Sequence, residues 1–319
     1  MGFLSCLRMV RITELKDNGV TSAQLNIWMI TASIGPIVFN SKGNWLDVLV
    51  YGGIISLLVC ITMRFGRHWS GPVYSLLQSV WIILMLSQFL QYSAGCWPTG
   101  ERTFPVVPLV LLGLAAATSL KGAKCTAGGI CVLFWFVAFL FGTVLAAGVP
   151  DLNVEYTVPS NYGINAPMML TFLIPAVAGF LPRRKTGKLS FVIVVVVAVA
   201  VTVWVSGVLS PRIAAEVQWP FYEAAKSVQL FNVAKRLESL VSVGVTVANY
   251  ALYSLLLCCV RNIGEKFGLG REAVVVGGTL SASLMLLGVS IDAAILFIVC
   301  AIFWIFLPLL GVLKKKLDE

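Results

Sequence analysis

The chain has 319 residues, of which 59% are apolar and only 12% charged, with a net charge of +9 and a mean hydropathy of +0.92. Soluble domains are about 45–50% apolar and about 25% charged, so a soluble protein, a disordered chain and a disulfide-built secreted scaffold are excluded. The positive charge fits the Lys and Arg excess of cytoplasmic membrane-protein loops better than nucleic-acid binding.

About 20 apolar residues in a helix cross the roughly 30 Å hydrocarbon core of a bilayer. Residues 1–20 carry Arg8, Arg11, Glu14, Lys16 and Asp17 and no apolar run, so no cleavable signal is expected there. Ten charge-poor segments follow, at roughly 22–40, 46–63, 73–95, 104–120, 125–148, 163–182, 189–209, 239–260, 273–289 and 291–313. The expected fold is an all-α polytopic membrane protein, a single transmembrane domain over 1–319 with both termini cytoplasmic. In that orientation 17 of the 23 basic residues lie inside, among them Arg183, Arg184, Lys185, Lys188 and Lys314.

Segment one contains Ser33-Ile34-Gly35-Pro36 in an apolar run. Pro36 removes a ladder donor and biases Gly35 away from helical geometry. The segment either breaks here, with Ser33 capping and free N–H groups facing a cavity, or carries a packed kink. Segment three holds Gln88, Gln91 and Tyr92, which serve either neighbouring helices or a ligand. Segment six carries Asn165-Ala166-Pro167 and then Pro175. Segments one and six hold equivalent places in two halves, at about 22–148 and 163–313. Interrupted helices at matching places point to a transporter-type binding site. The outer stretch at about 212–238 is too polar to span. From Trp219-Pro220 onward it reads as a helix on the membrane surface, with Phe221, Ala225, Val228, Phe231 and Leu237 on its apolar face, or else as an irregular loop. Segment eight places Thr246, Asn249, Tyr250 and Tyr253 at helical spacing, with 246, 250 and 253 on one face.

Several chemistries lack their residues. The one histidine, His68, sits in a loop, and the eight cysteines have no metal or disulfide spacing. There is no nucleophile elbow, zinc-protease pair or P-loop. No catalytic residue, metal or cofactor is expected. No Asp, Glu, Lys or Arg lies deep in a segment, which weakens a strongly proton-coupled mechanism.

The chain resembles the permease-like B-subunit family of endospore germinant receptors, within the amino acid–polyamine–organocation superfamily. The resemblance rests on Thr21-Ser-Ala-Gln-Leu25 leading into a Gly-containing first helix, Phe89-Leu-Gln-Tyr-Ser93, Leu120-Lys-Gly-Ala-Lys124, Gly148-Val-Pro-Asp-Leu152, and the run from Trp219-Pro220 through Lys235-Arg-Leu-Glu238 to Glu265-Lys-Phe-Gly-Leu269. It implies ten helices in a five-plus-five inverted repeat of the LeuT type. It also implies work beside an A-type subunit and a lipoprotein C-type subunit in the spore inner membrane. The implied activity is binding of an amino-acid-like nutrient that triggers germination; an amino-acid transporter of the same superfamily is the alternative. The expected ligand site joins Ser33, Ile34, Gly35 and Pro36 to Ala166 and Pro167, with Tyr92, Thr246 and Tyr250 as polar walls and the carboxylate on N–H groups of the broken first helix. On this reading Gly35→Leu abolishes the ligand response while the protein still inserts and assembles.

Overall fold

Apolar segments of this length have one stable form in a bilayer, because lipid offers no partner to a bare N–H or C=O and the helix satisfies both internally. The computed structural model describes residues 20–39, 41, 44–65, 72–95, 106–158, 172–174, 176, 189–228, 237–292, 295, 298–300 and 302–306. Among them the elements are helical: α1 (Ser22–Phe39), α2 (Trp45–Phe65), α3 (Pro72–Gly95), α4 (Val106–Lys121), α5 (Ala123–Ala147), α6 (Leu189–Leu209), α7 (Pro211–Glu216), α8 (Pro220–Ser227), α9 (Glu238–Gly264) and α10 (Gly270–Leu286), with a π-helical turn at Ile302–Phe306. Among the described residues five helices are long and apolar enough to cross a membrane, and Trp45–Ile61 and Val106–Lys121 are shorter apolar helices. The chain is an all-α, multi-pass membrane protein. Of segment six only 172–174 and 176 are described, so Asn165, Ala166, Pro167 and Pro175 lie outside the described residues.

The core is built around α9, in which every residue from Ala251 to Val260 is buried. It packs on α1, α3, α4, α5 and α10. Lipid tails are as apolar as leucine, so contacts between such helices depend on close packing and hydrogen bonds. Trp28 of α1 donates its indole N–H to the Ala251 carbonyl at 2.8 Å. Tyr253 donates its hydroxyl to Ser93 of α3, with the Phe89 carbonyl 3.4 Å from the same hydroxyl oxygen. At the opposite end, Arg261 Nη1 donates to the carbonyls of Ser119 and Leu120 at 2.6 and 3.2 Å. These are last-turn carbonyls of α4, where the helical ladder runs out; that of Ser119 also accepts from the Gly122 N–H at 3.1 Å. The guanidinium therefore closes α4 just where Gly122, at φ 110°, turns the chain into α5.

Two expectations are corrected. α1 does not break at Ser33–Pro36: it is one continuous helix with Pro36 inside it. Pro36 deprives only the Ala32 carbonyl of its ladder donor. Ser33 does not cap a second half-helix but donates to the Met29 carbonyl one turn back, at 2.7 Å. Thr31 does the same to Ile27, at 2.8 Å.

The helix that opens at Trp219-Pro220, in turn, packs its apolar face on other helices rather than leaving it to the membrane surface. α8 packs on α6, α9 and α1. Phe221 lies 5.1 Å from the Trp204 ring and 5.7 Å from Phe141, centre to centre, and Trp219 lies 5.6 Å from Phe39. Phe221, Ala225, Val228 and Leu237 are buried as the apolar face predicts, while the partly exposed Glu223 and Lys226 pair with each other at 2.7 Å. The apolar face is consumed by the ends of the spanning helices; Phe231 lies outside the described residues.

The sequence places three glycine pairs in its apolar segments, Gly52-Gly53, Gly128-Gly129 and Gly277-Gly278, where small residues are expected to let helices pack closely. Gly52 meets Val195, and Gly277 lies against Val260 and Ile83, whereas Gly53, Gly128, Gly129 and Gly278 have open space beside them among the described residues, so the expectation holds for Gly52 and Gly277.

Candidate functional site

α1 and α9 pack against each other at Gly35. A Cβ there would overlap the Asn249 side-chain oxygen, and the Asn249 backbone nitrogen would be 4.0 Å away. A methyl group at 35 therefore requires the Asn249 side chain to move. Asn249 is 3% exposed. Its side-chain amide has no hydrogen-bond partner among the described residues, and its polar atoms are not fully sealed off from water.

The same amide lines a narrow cleft with Ser93 of α3, Pro108 and Leu111 of α4, Tyr222 of α8, and Ser242, Val245 and Thr246 of α9. The volume open to water is about 10 Å³, room for about one water molecule. Ser242, Thr246 and Asn249 form one polar stripe because spacings of four and three residues return to the same face of a helix. The hydroxyls in the stripe are already committed. Ser242 donates to the Glu238 carbonyl at 2.9 Å and Thr246 to the Ser242 carbonyl at 2.7 Å. Ser93 donates to the Leu90 carbonyl at 2.9 Å. Each keeps lone pairs but no proton to offer. The Asn249 amide is different, because it retains both a donor and an acceptor. Among the described residues no charged side chain lines the cleft.

The expected site residues divide three ways. Gly35 and Thr246 come together around Asn249. Ser33, Ile34 and Pro36 lie in the continuous α1, where the ladder and the Ser33 back-bond occupy the local polar groups. Tyr92 and Tyr250 stand away from the cleft. Ser93, the neighbour of Tyr92, takes the lining position on α3, and the Tyr250 hydroxyl donates to Thr118 Oγ1 of α4 at 3.0 Å. Ala166 and Pro167 lie outside the described residues. Asn249, Ser242, Ser93 and Tyr222 were not among the expected site residues. The 242–246–249 spacing is readable in the sequence and would have found two of them; no sequence signal puts Tyr222 over the cleft.

Tyr250 acts as a tie between α9 and α4, so Tyr250→Phe is expected to cost only about 0.5–1.5 kcal/mol, the net worth of one hydrogen bond. Any ligand response should keep its midpoint concentration in this variant. Thermal unfolding with and without ligand checks both statements, and a shifted midpoint concentration would put Tyr250 back at the site.

Compared with known proteins, the chain matches no family model, and no curated protein matches it.

Proposed function

We propose that this chain is a non-enzymatic, permease-like membrane subunit that binds a small nutrient and passes the event to partner subunits, in the manner of a spore germinant receptor B subunit. The observation that carries the small-molecule reading is the Asn249 amide, which lines a cleft beside Gly35 of α1 and has no hydrogen-bond partner among the described residues. Polar groups inside a membrane domain are expensive and are kept for a task.

The contacts support a ten-span, five-plus-five inverted repeat. α1 packs on α9, and Phe172 of the sixth segment packs on Phe89 of α3 with ring centres 5.8 Å apart. α4 packs on α9, and α10 packs on α3. α5 packs on α9, while Tyr74 of α3 donates to the Phe303 carbonyl of the tenth segment at 2.5 Å. α6 reaches α5 through Trp204, which donates to the Leu145 carbonyl at 3.0 Å, and α2 touches the 302–306 turn. Each contact turns into its partner contact when segments one to five are exchanged for six to ten. Two halves of common origin inserted in opposite orientations would produce this pairing.

The partners are the A-type subunit and the lipoprotein C-type subunit, in the spore inner membrane, with both termini of this chain cytoplasmic. The decisive experiment is purification of a tagged full-length chain from its host's membranes. The expected result is co-purification of these two partner classes, with reporter fusions at Lys185 and Lys314 reporting cytoplasm and one after Asp151 reporting outside. A chain recovered alone that drives net accumulation of labelled amino acid in vesicles would overturn this reading in favour of a transporter.

A further inference from the structure

We propose that the α9 cleft selects a small uncharged polar molecule, an amide or an alcohol, and that Asn249 is its specificity-determining residue; the inference rests on the reading of this cleft as the nutrient site. The lining supplies Ser242, Thr246 and Ser93 as acceptors whose protons are already given to carbonyls. Its unspent donor is the amide of Asn249, which also carries an acceptor. That pair matches a group that is itself both donor and acceptor, such as a primary amide or a hydroxyl.

A zwitterionic amino acid fits less well. Its carboxylate needs a cation or several free N–H groups, because a bare charge moved out of water is far costlier than a neutral polar group. Among the described residues no cation lines the cleft. The sequence has no Lys or Arg in α1 or in the sixth segment at about 163–182. The backbone N–H groups that a broken first helix would offer are taken up by the continuous α1. An ammonium group is no better served. Glu238 is the nearest acid along the stripe, one helical turn beyond Ser242, and does not line the cleft. Its Oε2 is buried without a hydrogen-bond partner among the described residues, but it sits in the first turn of α9, where the helix end itself favours a negative charge. The open volume of about 10 Å³ admits one group of about water size. The ligand head therefore sits at Asn249, and the cleft must widen to admit the rest of the molecule.

The test uses the purified full-length protein and three probes of matched size: lactamide, uncharged; alanine, zwitterionic; and alaninamide, cationic. Lactamide is expected to raise the unfolding midpoint in a dose-dependent way, with the other two giving no shift at the same concentrations. Asn249→Leu, and as a second variant Asn249→Ala, should weaken lactamide binding by about tenfold or more, as loss of a buried hydrogen bond implies. A larger shift from alanine or alaninamide overturns the proposal, as does a lactamide shift that persists in both variants or silence from all three probes. An alanine shift that depends on Asn249 removes the uncharged class yet leaves the nutrient-subunit reading intact. Failure of co-purification does the reverse.

Discussion

Gly35→Ala will lower the unfolding midpoint of the protein, and adding Asn249→Ala to the same chain will restore much of the loss. The added methyl meets the Asn249 oxygen at a point where two helix backbones are already in close approach. Gly35 lies on the buried face of α1, and the atom the methyl meets is the end of the Asn249 side chain, with the Asn249 backbone nitrogen at an ordinary contact distance of 4.0 Å. Overpacking costs about 1–3 kcal/mol where no neighbour gives, and a turn of the Asn249 side chain into the cleft puts this loss at the low end. Truncating Asn249 removes the obstructing atom, so the two changes must couple, and a double-mutant cycle reads that coupling directly. Simple additivity would show that the α1–α9 approach is looser than described. The larger Gly35→Leu change meets the same obstacle. It should therefore damage helix packing together with ligand response, rather than abolish the response in an otherwise intact protein.

Gln88→Leu is the second large effect, and it should exceed that of Gln91→Leu. Gln88 is 5% exposed and serves the turn after α10 twice. Its Nε2 donates to the Val289 carbonyl at 2.7 Å, and its Oε1 accepts from the Ile291 N–H at 3.0 Å. Gln91 donates only to the same Val289 carbonyl, at 2.7 Å, from a more exposed position. Leucine at 88 therefore leaves the Ile291 N–H without its partner, while leucine at 91 leaves Val289 still served by Gln88. An orphaned N–H costs about 1–3 kcal/mol when fully buried and less in this half-buried turn, but still more than the loss of one redundant bond. Unfolding midpoints of the two single variants decide the matter, and equal losses would show that the turn does not depend on Gln88. The two glutamines are thus structural ties, one of the two roles open to polar residues in a spanning helix.

The membrane class and the main spans were legible in the sequence because both depend on local composition. A run of about 20 apolar residues must become a helix in lipid whatever its neighbours are, so α3, α5 and α6 fall where hydropathy puts them. The burial of Phe221, Ala225 and Val228 was legible for the same reason, since an amphipathic face is a property of the segment itself. What covers that face was not. Only the tertiary structure brings α8 down onto Trp204 and Phe141 instead of lipid. The reading of Ser33–Pro36 as a break failed because proline chemistry sets the loss of one hydrogen bond but not its consequence. Back-bonding from Thr31 and Ser33 and the tight seat against Asn249 keep α1 continuous. Among the polar residues of α9, helical spacing names the faces, but only the packing of α4 takes Tyr250 for a structural bond. Only the approach of α1 through Gly35, with Ser93 and Tyr222 closing the other sides, leaves Asn249 buried with its hydrogen-bonding capacity unspent. Contacts between segments far apart in the chain decide which polar group keeps a free donor, and a pattern confined to one helix carries no information about them.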